Sequence, residues 1–146
     1  MLLHRSIVTH GPFIALIVFL IMRDIRHFSI RVFAMSFCLG LVVHLAFDLF
    51  PRAWSGYALI SIPMYGWLPG AVSATWIAGS ILVCAYLAAR LVRGLSESVV
   101  IVLGTVAIFL AAVPGERAVI GPLIVIAGAL AIASAASLLI GRADHE

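Results

Sequence analysis

Two short polar clusters interrupt long apolar runs, and their side chains are the ones best suited to chemistry. The stretch HRSIVTHGPF contains His4 and His10, and the stretch LVVHLAFDLFP contains His44 and Asp48. His44 and Asp48 are four residues apart, so they share one face of a helix. At this spacing an imidazole and a carboxylate can hold one metal ion together, or the carboxylate can orient the imidazole.

The two histidines of the first cluster need an irregular backbone to meet. His4 and His10 are six residues apart, which is a rotation of about 240° on a continuous helix. Proline suits the first turn of a helix, and the residue before it disfavours helix. Gly11-Pro12 therefore predicts that some or all of residues 4–11 form an irregular lead-in, which can fold His4 back toward His10.

The composition of the whole chain identifies the medium around these clusters. The 146 residues are 64% hydrophobic and only 10% charged, whereas soluble domains average about 25% charged residues. The chain is therefore expected to be an integral membrane protein. All nine basic residues are arginines scattered between apolar runs, a distribution that argues against nucleic-acid binding and indicates topological anchors.

Five apolar segments predict an all-α, polytopic helical bundle with about five transmembrane helices in a single domain, residues 1–146. Helix is expected throughout because backbone groups in hydrocarbon must be satisfied within the segment. The fourth segment is short, so a re-entrant hairpin is the alternative to a full span there. The predicted spans are residues 7–24, 32–50, 70–90, 97–113 and 118–140.

Small residues inside the spans are expected to serve helix packing. Cys38 and Cys84 are predicted to be buried apolar residues rather than a disulfide or a metal pair. The fifth span has small residues at every fourth position in two registers, a spacing that lets helices approach closely. The two registers are Ala127, Ala131 and Ala135, and Ala129, Ala133 and Ser137.

The arginines predict the orientation of the bundle. Six lie in the first and third connections and the C-terminal tail, and three lie on the opposite side. The positive-inside rule then predicts an outside N-terminus and a cytoplasmic C-terminus in a bacterial inner membrane. The start of the first span and the end of the second would lie on the same, non-cytoplasmic side.

This topology brings four candidate metal ligands together: His4, His10, His44 and Asp48. The alternative is a hydrogen-bonded structural cluster without an ion. An unpaired carboxylate at Asp48 would be costly among apolar neighbours, so we expect it to have a metal, Arg52 or a protonated histidine as its partner. Thr9 is a candidate helix cap, and His27 is expected to be a solvated interface residue.

The second connection, WSGYALISIPMYGWLPG, is apolar but broken by glycine and proline. Aromatic residues such as Trp54, Tyr57, Tyr65 and Trp67 usually lie at headgroup level in membrane proteins. This connection is thus expected to form an aromatic belt, with a lid over the polar cluster as the functional alternative.

The polar residues resemble motifs of the YdjM-type bacterial membrane-bound metal-dependent hydrolases. Those proteins have an HR-x-x-TH-S element, an H-x-x-x-D element on a later helix and a following G-x-x-L-L-x-P stretch, and the resemblance covers about residues 4–66. It implies a divalent-metal site and a hydrolytic activity, with His4, His10, His44 and Asp48 at the family's polar positions.

Three differences from that family are visible. The two histidines of the first element are separated by one more residue, and Gly11 replaces the usual serine. The family's upstream Asp-x-Asp-His element has no counterpart before His4. We therefore expect a one-metal site, or loss of catalysis, rather than a two-metal centre.

These observations lead to two functional hypotheses. In the first, zinc or manganese held by the four ligands activates water for attack on an ester or phosphoester at the membrane surface, with a lipid or a phosphoester as the substrate. Asp48 and Arg5 would then be catalytic, with the Arg5 guanidinium near the developing negative charge. In the second, the chain is a non-catalytic membrane subunit or scaffold with a protein partner or a second copy. A transporter is a weaker third hypothesis because spans three to five have no ionisable residue in their interiors.

Overall fold

The computed structural model describes residues 6–50, 59–116 and 118–143, with side chains through residue 137. Within these ranges the chain forms five α-helices and one two-stranded hairpin, which confirms the all-α expectation. The elements in chain order are α1 (Phe13–Met22), α2 (Phe28–Asp48), β1 (Ser61–Ile62), β2 (Gly66–Trp67), α3 (Gly70–Leu91), α4 (Leu95–Ala112) and α5 (Ile120–Ala143).

Among the described residues, four helices are long and apolar enough to cross a membrane. A hydrocarbon core about 30 Å thick requires about 20 helical residues. The fourth span is a continuous helix that ends in a short 3₁₀ turn, so that Leu95–Gly115 covers 21 residues. This length fits a full span rather than a re-entrant hairpin.

Helix α1 is shorter than the span predicted over residues 7–24. It has 10 residues, a length of about 15 Å. Residues 7–12 form turns and bends instead of helix, as the Gly11-Pro12 step predicts. At the two ends of this segment, His10 meets Asp48 and the Arg23 carbonyl accepts a hydrogen bond from the Arg93 side chain.

Helix α2 lies at the centre of the bundle and packs against each of the other four helices. Residues along most of its length are buried, and 56% of its most apolar window is inside the protein. Cys38 of α2 and Cys84 of α3 are both fully buried free thiols in the main apolar core. This confirms their prediction as packing residues.

Helix α5 uses one of its two small-residue registers for packing. Ala129 and Ala133 are buried in the main core, whereas Ala127, Ala131 and Ala135 are exposed. The small side chains of the buried register allow α5 to lie close to α3, its main neighbour.

The hairpin in the second connection was not predicted from the sequence, and it supports the irregular lead-in. Strand β1 pairs with β2 in antiparallel register, and Ser61 also forms a parallel bridge with Ser6. The backbone N–H of Ile7 donates to the Ser61 carbonyl at 2.9 Å. These bonds satisfy backbone groups that the lead-in, lacking helical structure, would otherwise leave unpaired in an apolar setting.

A buried ion pair joins α2 to α4 at the end of the bundle opposite Asp48. The Arg31 guanidinium donates to the Glu97 carboxylate, and both side chains are almost fully buried. The backbone N–H of Arg93 donates to the second Glu97 oxygen at 2.6 Å. Arg31 was interpreted as a topological anchor in the first connection. That interpretation was incomplete, because the side chain lies inside the bundle and is neutralised there.

Candidate metal centre

The structure brings His10, His44 and Asp48 into one cluster. One possible ligand atom from each residue lies within 4.8 Å of those of the other two. The Asp48 Oδ2 atom is 3.0 Å from His10 Nε2 and 3.5 Å from His44 Nε2. The two imidazole rings are tilted, with centroids 5.4 Å apart. Three of the four predicted metal ligands are therefore together.

The remaining predicted site residues lie outside the described part of the chain. His4 and Arg5 precede residue 6, and Arg52 falls within residues 51–58. Their predicted roles, His4 as a fourth ligand, Arg5 as a catalytic cation and Arg52 as an alternative partner of Asp48, stay predictions. Of the partners expected for Asp48, a histidine from the first segment is present as His10.

Helix α2 positions two members of the cluster on its last turns. The i,i+4 spacing places His44 and Asp48 on one face, as predicted. Asp48 is the last residue of the helix, where the helix dipole is negative and disfavours a carboxylate. A cation beside Asp48, whether a metal ion, a protonated histidine or the predicted Arg52, would offset this unfavourable interaction.

The lead-in positions the third member. Its backbone turns so that His10 N–H donates to the Ser6 carbonyl at 3.0 Å and the Trp76 indole N–H donates to the His10 carbonyl at 3.0 Å. A Cβ atom at Gly11 would lie 2.6 Å from the Ile7 carbonyl oxygen. Only glycine fits this turn, which gives a physical reason for Gly11 at the position where the resembled family has serine.

Thr9 orients the His10 ring rather than capping α1. Its hydroxyl lies 3.2 Å from the Ser6 carbonyl, to which it donates, and 3.0 Å from His10 Nδ1. When the Thr9 hydroxyl donates its hydrogen to the Ser6 carbonyl, its oxygen accepts the Nδ1–H of His10. The Nε2 atom of His10 then carries a lone pair, which is directed at the cluster. Metal-binding histidines usually have such a partner on the second ring nitrogen.

Two of the three donor separations are close to those around one small divalent ion, and the third, between the two histidines, lies within 4.8 Å. Ligands at about 2.0–2.1 Å from a tetrahedral ion lie about 3.4 Å apart. The Asp48–His44 separation already has this value, and the Asp48–His10 separation has to open by a few tenths of an ångström. Without an ion, the proton of His10 Nε2 can instead fill the 3.0 Å gap as a hydrogen bond to Asp48, so the same geometry also serves a structural pair.

The cluster is enclosed on one side and open on the other. His10 is 4% exposed, whereas the His44 side chain is 54% exposed and that of Asp48 is 16% exposed. Catalytic zinc sites combine three protein ligands with one open position. The exposed edge of His44 provides an approach of this kind.

We expect Thr9→Val to weaken metal binding by about 10- to 100-fold, the usual cost of losing a partner of a ligating histidine. Thr9→Ser keeps the hydroxyl and should bind metal like the wild type. Thr75→Val is a matched control, because the Thr75 hydroxyl donates to Ala71 within α3. Competition with a chromophoric chelator measures the affinities. Equal affinities for Thr9→Val and the wild type would contradict the orienting role.

Comparisons with known proteins identified no relative of this chain. No family model matches the chain, and neither a curated protein nor a solved structure matches it. The resemblance to YdjM-type hydrolases rests on the quoted motifs alone and stays a prediction.

Proposed function

We propose that this chain is a membrane-bound metal-dependent hydrolase that cleaves an ester or phosphoester at the membrane surface. The observation that carries the proposal is the convergence of His10, His44 and Asp48 from two separate segments. Two imidazoles and a carboxylate are a donor set that zinc, manganese and iron(II) accept. The donors lie at the end of an apolar helix that is long enough to span a membrane.

The residues of the cluster and its surroundings have separate roles. His10, His44 and Asp48 hold the ion, and Thr9 keeps the His10 Nε2 lone pair pointing inward. A bound divalent ion supplies Lewis-acid polarisation of the substrate oxygen and activation of water. The Asp48 oxygen that lies beside both imidazoles is the carboxylate ligand of this set. The predicted role of Arg5 is to stabilise negative charge that develops on the substrate.

Hydrolysis assays of the purified protein test the function. Mixed micelles containing a chromogenic carboxylic ester or phosphodiester should be cleaved by the wild type. Chelator should remove the activity, and zinc or manganese should restore it. His44→Ala should be inactive with added metal, whereas His27→Ala should be active because His27 is exposed at the start of α2, outside the cluster. Turnover that survives both chelator and His44→Ala would reject the proposal.

We also propose that the cluster faces the outside of a bacterial inner membrane. The arginine distribution supports this orientation, and Arg23, Arg31 and Arg93 gather at the opposite end of the bundle. Reporter fusions after Arg93 should be cytoplasmic, and fusions in the loop around Trp54 should be external. The reverse pattern would place the cluster on the cytoplasmic side.

A second candidate function, a non-catalytic membrane subunit, is favoured by the exposure of α4. Only 11% of its apolar window is buried within the protein, so one face is available to lipid or to a partner helix. Purification in mild detergent separates the two functions. A stoichiometric partner protein together with an inactive chain supports the subunit, and an active chain purified alone opposes it.

A further inference from the structure

A long apolar groove lies between α3 and the lead-in. Its volume is about 600 Å³. Val72, Trp76, Gly79 and Val83 line it from α3, and their spacing of three and four residues places them on one helix face. From Val72 to Val83 this face extends about 16 Å along the helix axis. The groove thus runs along α3, a helix that is long and apolar enough to span a membrane.

The polar side chains of the groove donate their hydrogen bonds to carbonyl groups of the protein itself. The Thr75 hydroxyl donates to the Ala71 carbonyl at 2.9 Å, and the Ser80 hydroxyl donates to the Trp76 carbonyl at 2.8 Å. The Trp76 indole N–H donates to the His10 carbonyl. The lining consequently presents hydrocarbon, which suits an apolar chain and disfavours a polar ligand.

The aromatic residues beside the groove indicate that it runs from the membrane surface into the hydrocarbon. Its upper end is Leu68, directly after the hairpin whose Met64, Tyr65 and Trp67 side chains are exposed. Exposed aromatic residues of this kind lie at headgroup level. Val83 lies 13 residues into α3, about 20 Å below its start. An acyl chain of a bilayer lipid also begins at headgroup level and also runs from there into the hydrocarbon.

The groove and the metal cluster share the lead-in. Ile7 and Pro12 line the groove, while His10 between them directs its ring at Asp48 and its carbonyl at Trp76. A lipid whose chain occupies the groove therefore has its headgroup at the end of the bundle that holds His10, His44 and Asp48.

We propose that the groove binds one acyl chain of a membrane lipid and thereby presents the ester or phosphoester of that lipid to the metal cluster. This inference rests on the proposed hydrolase function and narrows its substrate class to acyl lipids. In the reaction, water is the second substrate. Its oxygen bonds to the acyl carbon or the phosphorus, the C–O or P–O ester bond breaks, and the leaving oxygen receives a proton.

Gly79 permits a direct test of the groove. A Cβ atom at Gly79 would have no heavy atom within 4 Å, and the same is true of Gly128 on α5. Both glycines are exposed. Gly79→Leu should therefore fill the groove without a clash in the protein, and Gly128→Leu is the matched control outside it.

Fluorescence quenching measures chain binding without any metal. The chain has three tryptophans, so replacing Trp54 and Trp67 by phenylalanine leaves Trp76 as the reporter. The protein, treated with chelator, is placed in phosphatidylcholine vesicles with rising fractions of phosphatidylcholine brominated on its acyl chains. We expect saturable quenching, weakened about tenfold in Gly79→Leu because an overpacked groove excludes the chain, and unchanged in Gly128→Leu.

The outcomes separate this inference from the proposed function. Quenching that is non-saturable and equal in both leucine variants would overturn the lipid site, even if water-soluble esters were hydrolysed. Saturable quenching that is sensitive to Gly79→Leu would support the site, even if no hydrolysis were found. A dimer in detergent that Gly79→Leu converts to a monomer would assign the groove to a second copy of the chain and overturn the inference.

Discussion

Replacing His44 by alanine is expected to abolish divalent-metal binding. Two of the three ligands would remain, and the exposed side of the cluster would open further to water. The loss of metal affinity should exceed the roughly 10- to 100-fold loss caused by removing a hydrogen-bond partner of a ligating histidine. Asp48→Asn keeps the shape of the carboxylate and removes its charge, so it should weaken binding. The double variant should bind no worse than the weaker single variant, because ligands of one site act as a unit.

The control for this series is a histidine outside the cluster. His27 flanks the start of α2 and is exposed, so His27→Ala should bind metal like the wild type. Titration with zinc and manganese in the presence of a competing chelator measures each affinity. Strictly additive losses of metal affinity in the double variant would indicate surface binding rather than one site. Equal losses of metal affinity in His27→Ala and His44→Ala would indicate the same.

Breaking the Arg31–Glu97 pair is expected to cause the largest loss of stability. Arg31→Ala leaves the Glu97 carboxylate buried, and removal of one partner of a buried ion pair costs about 3–5 kcal/mol. Replacing both residues by apolar side chains, Arg31→Met with Glu97→Leu, should recover much of the loss because neither charge then remains buried. Thermal unfolding in detergent measures both variants.

An exposed ion pair at the same end of the bundle provides the control. The Arg23 and Asp24 side chains are 3.4 Å apart and are 53% and 86% exposed. Pairs of this kind contribute about 0–1 kcal/mol, so Asp24→Ala should hardly change the unfolding temperature. A small effect of Arg31→Ala, matching that of Asp24→Ala, would show that the pair does not hold α2 to α4.

Local sequence rules could predict most of the fold and the part of the site that lies on one helix. Hydropathy indicated the membrane-spanning helices, because backbone in lipid has few alternatives to helix. The i,i+4 rule indicated His44 and Asp48. The Gly11-Pro12 step indicated the irregular lead-in, and the predicted topology then placed His10 near Asp48.

The features that sequence rules missed depend on distant residues. Arg31 and Glu97 are 66 positions apart, and each alone has the pattern of a charged residue at the end of a span. The bridge between Ser6 and Ser61 joins segments that have no strand pattern of their own. The orienting role of Thr9 depends on the fold of the lead-in, since a threonine before Gly-Pro also matches a helix cap.

The molar metal content of the wild-type protein tests the central claim most directly. The protein should be purified in detergent without chelator and analysed by elemental mass spectrometry beside His44→Ala and His27→Ala. One zinc, manganese or iron ion per chain in the wild type and in His27→Ala, and none in His44→Ala, is the predicted result. A metal-free wild type that also fails to bind added zinc, manganese or iron(II) would show that His10, His44 and Asp48 form a structural cluster and that the hydrolase proposal is wrong.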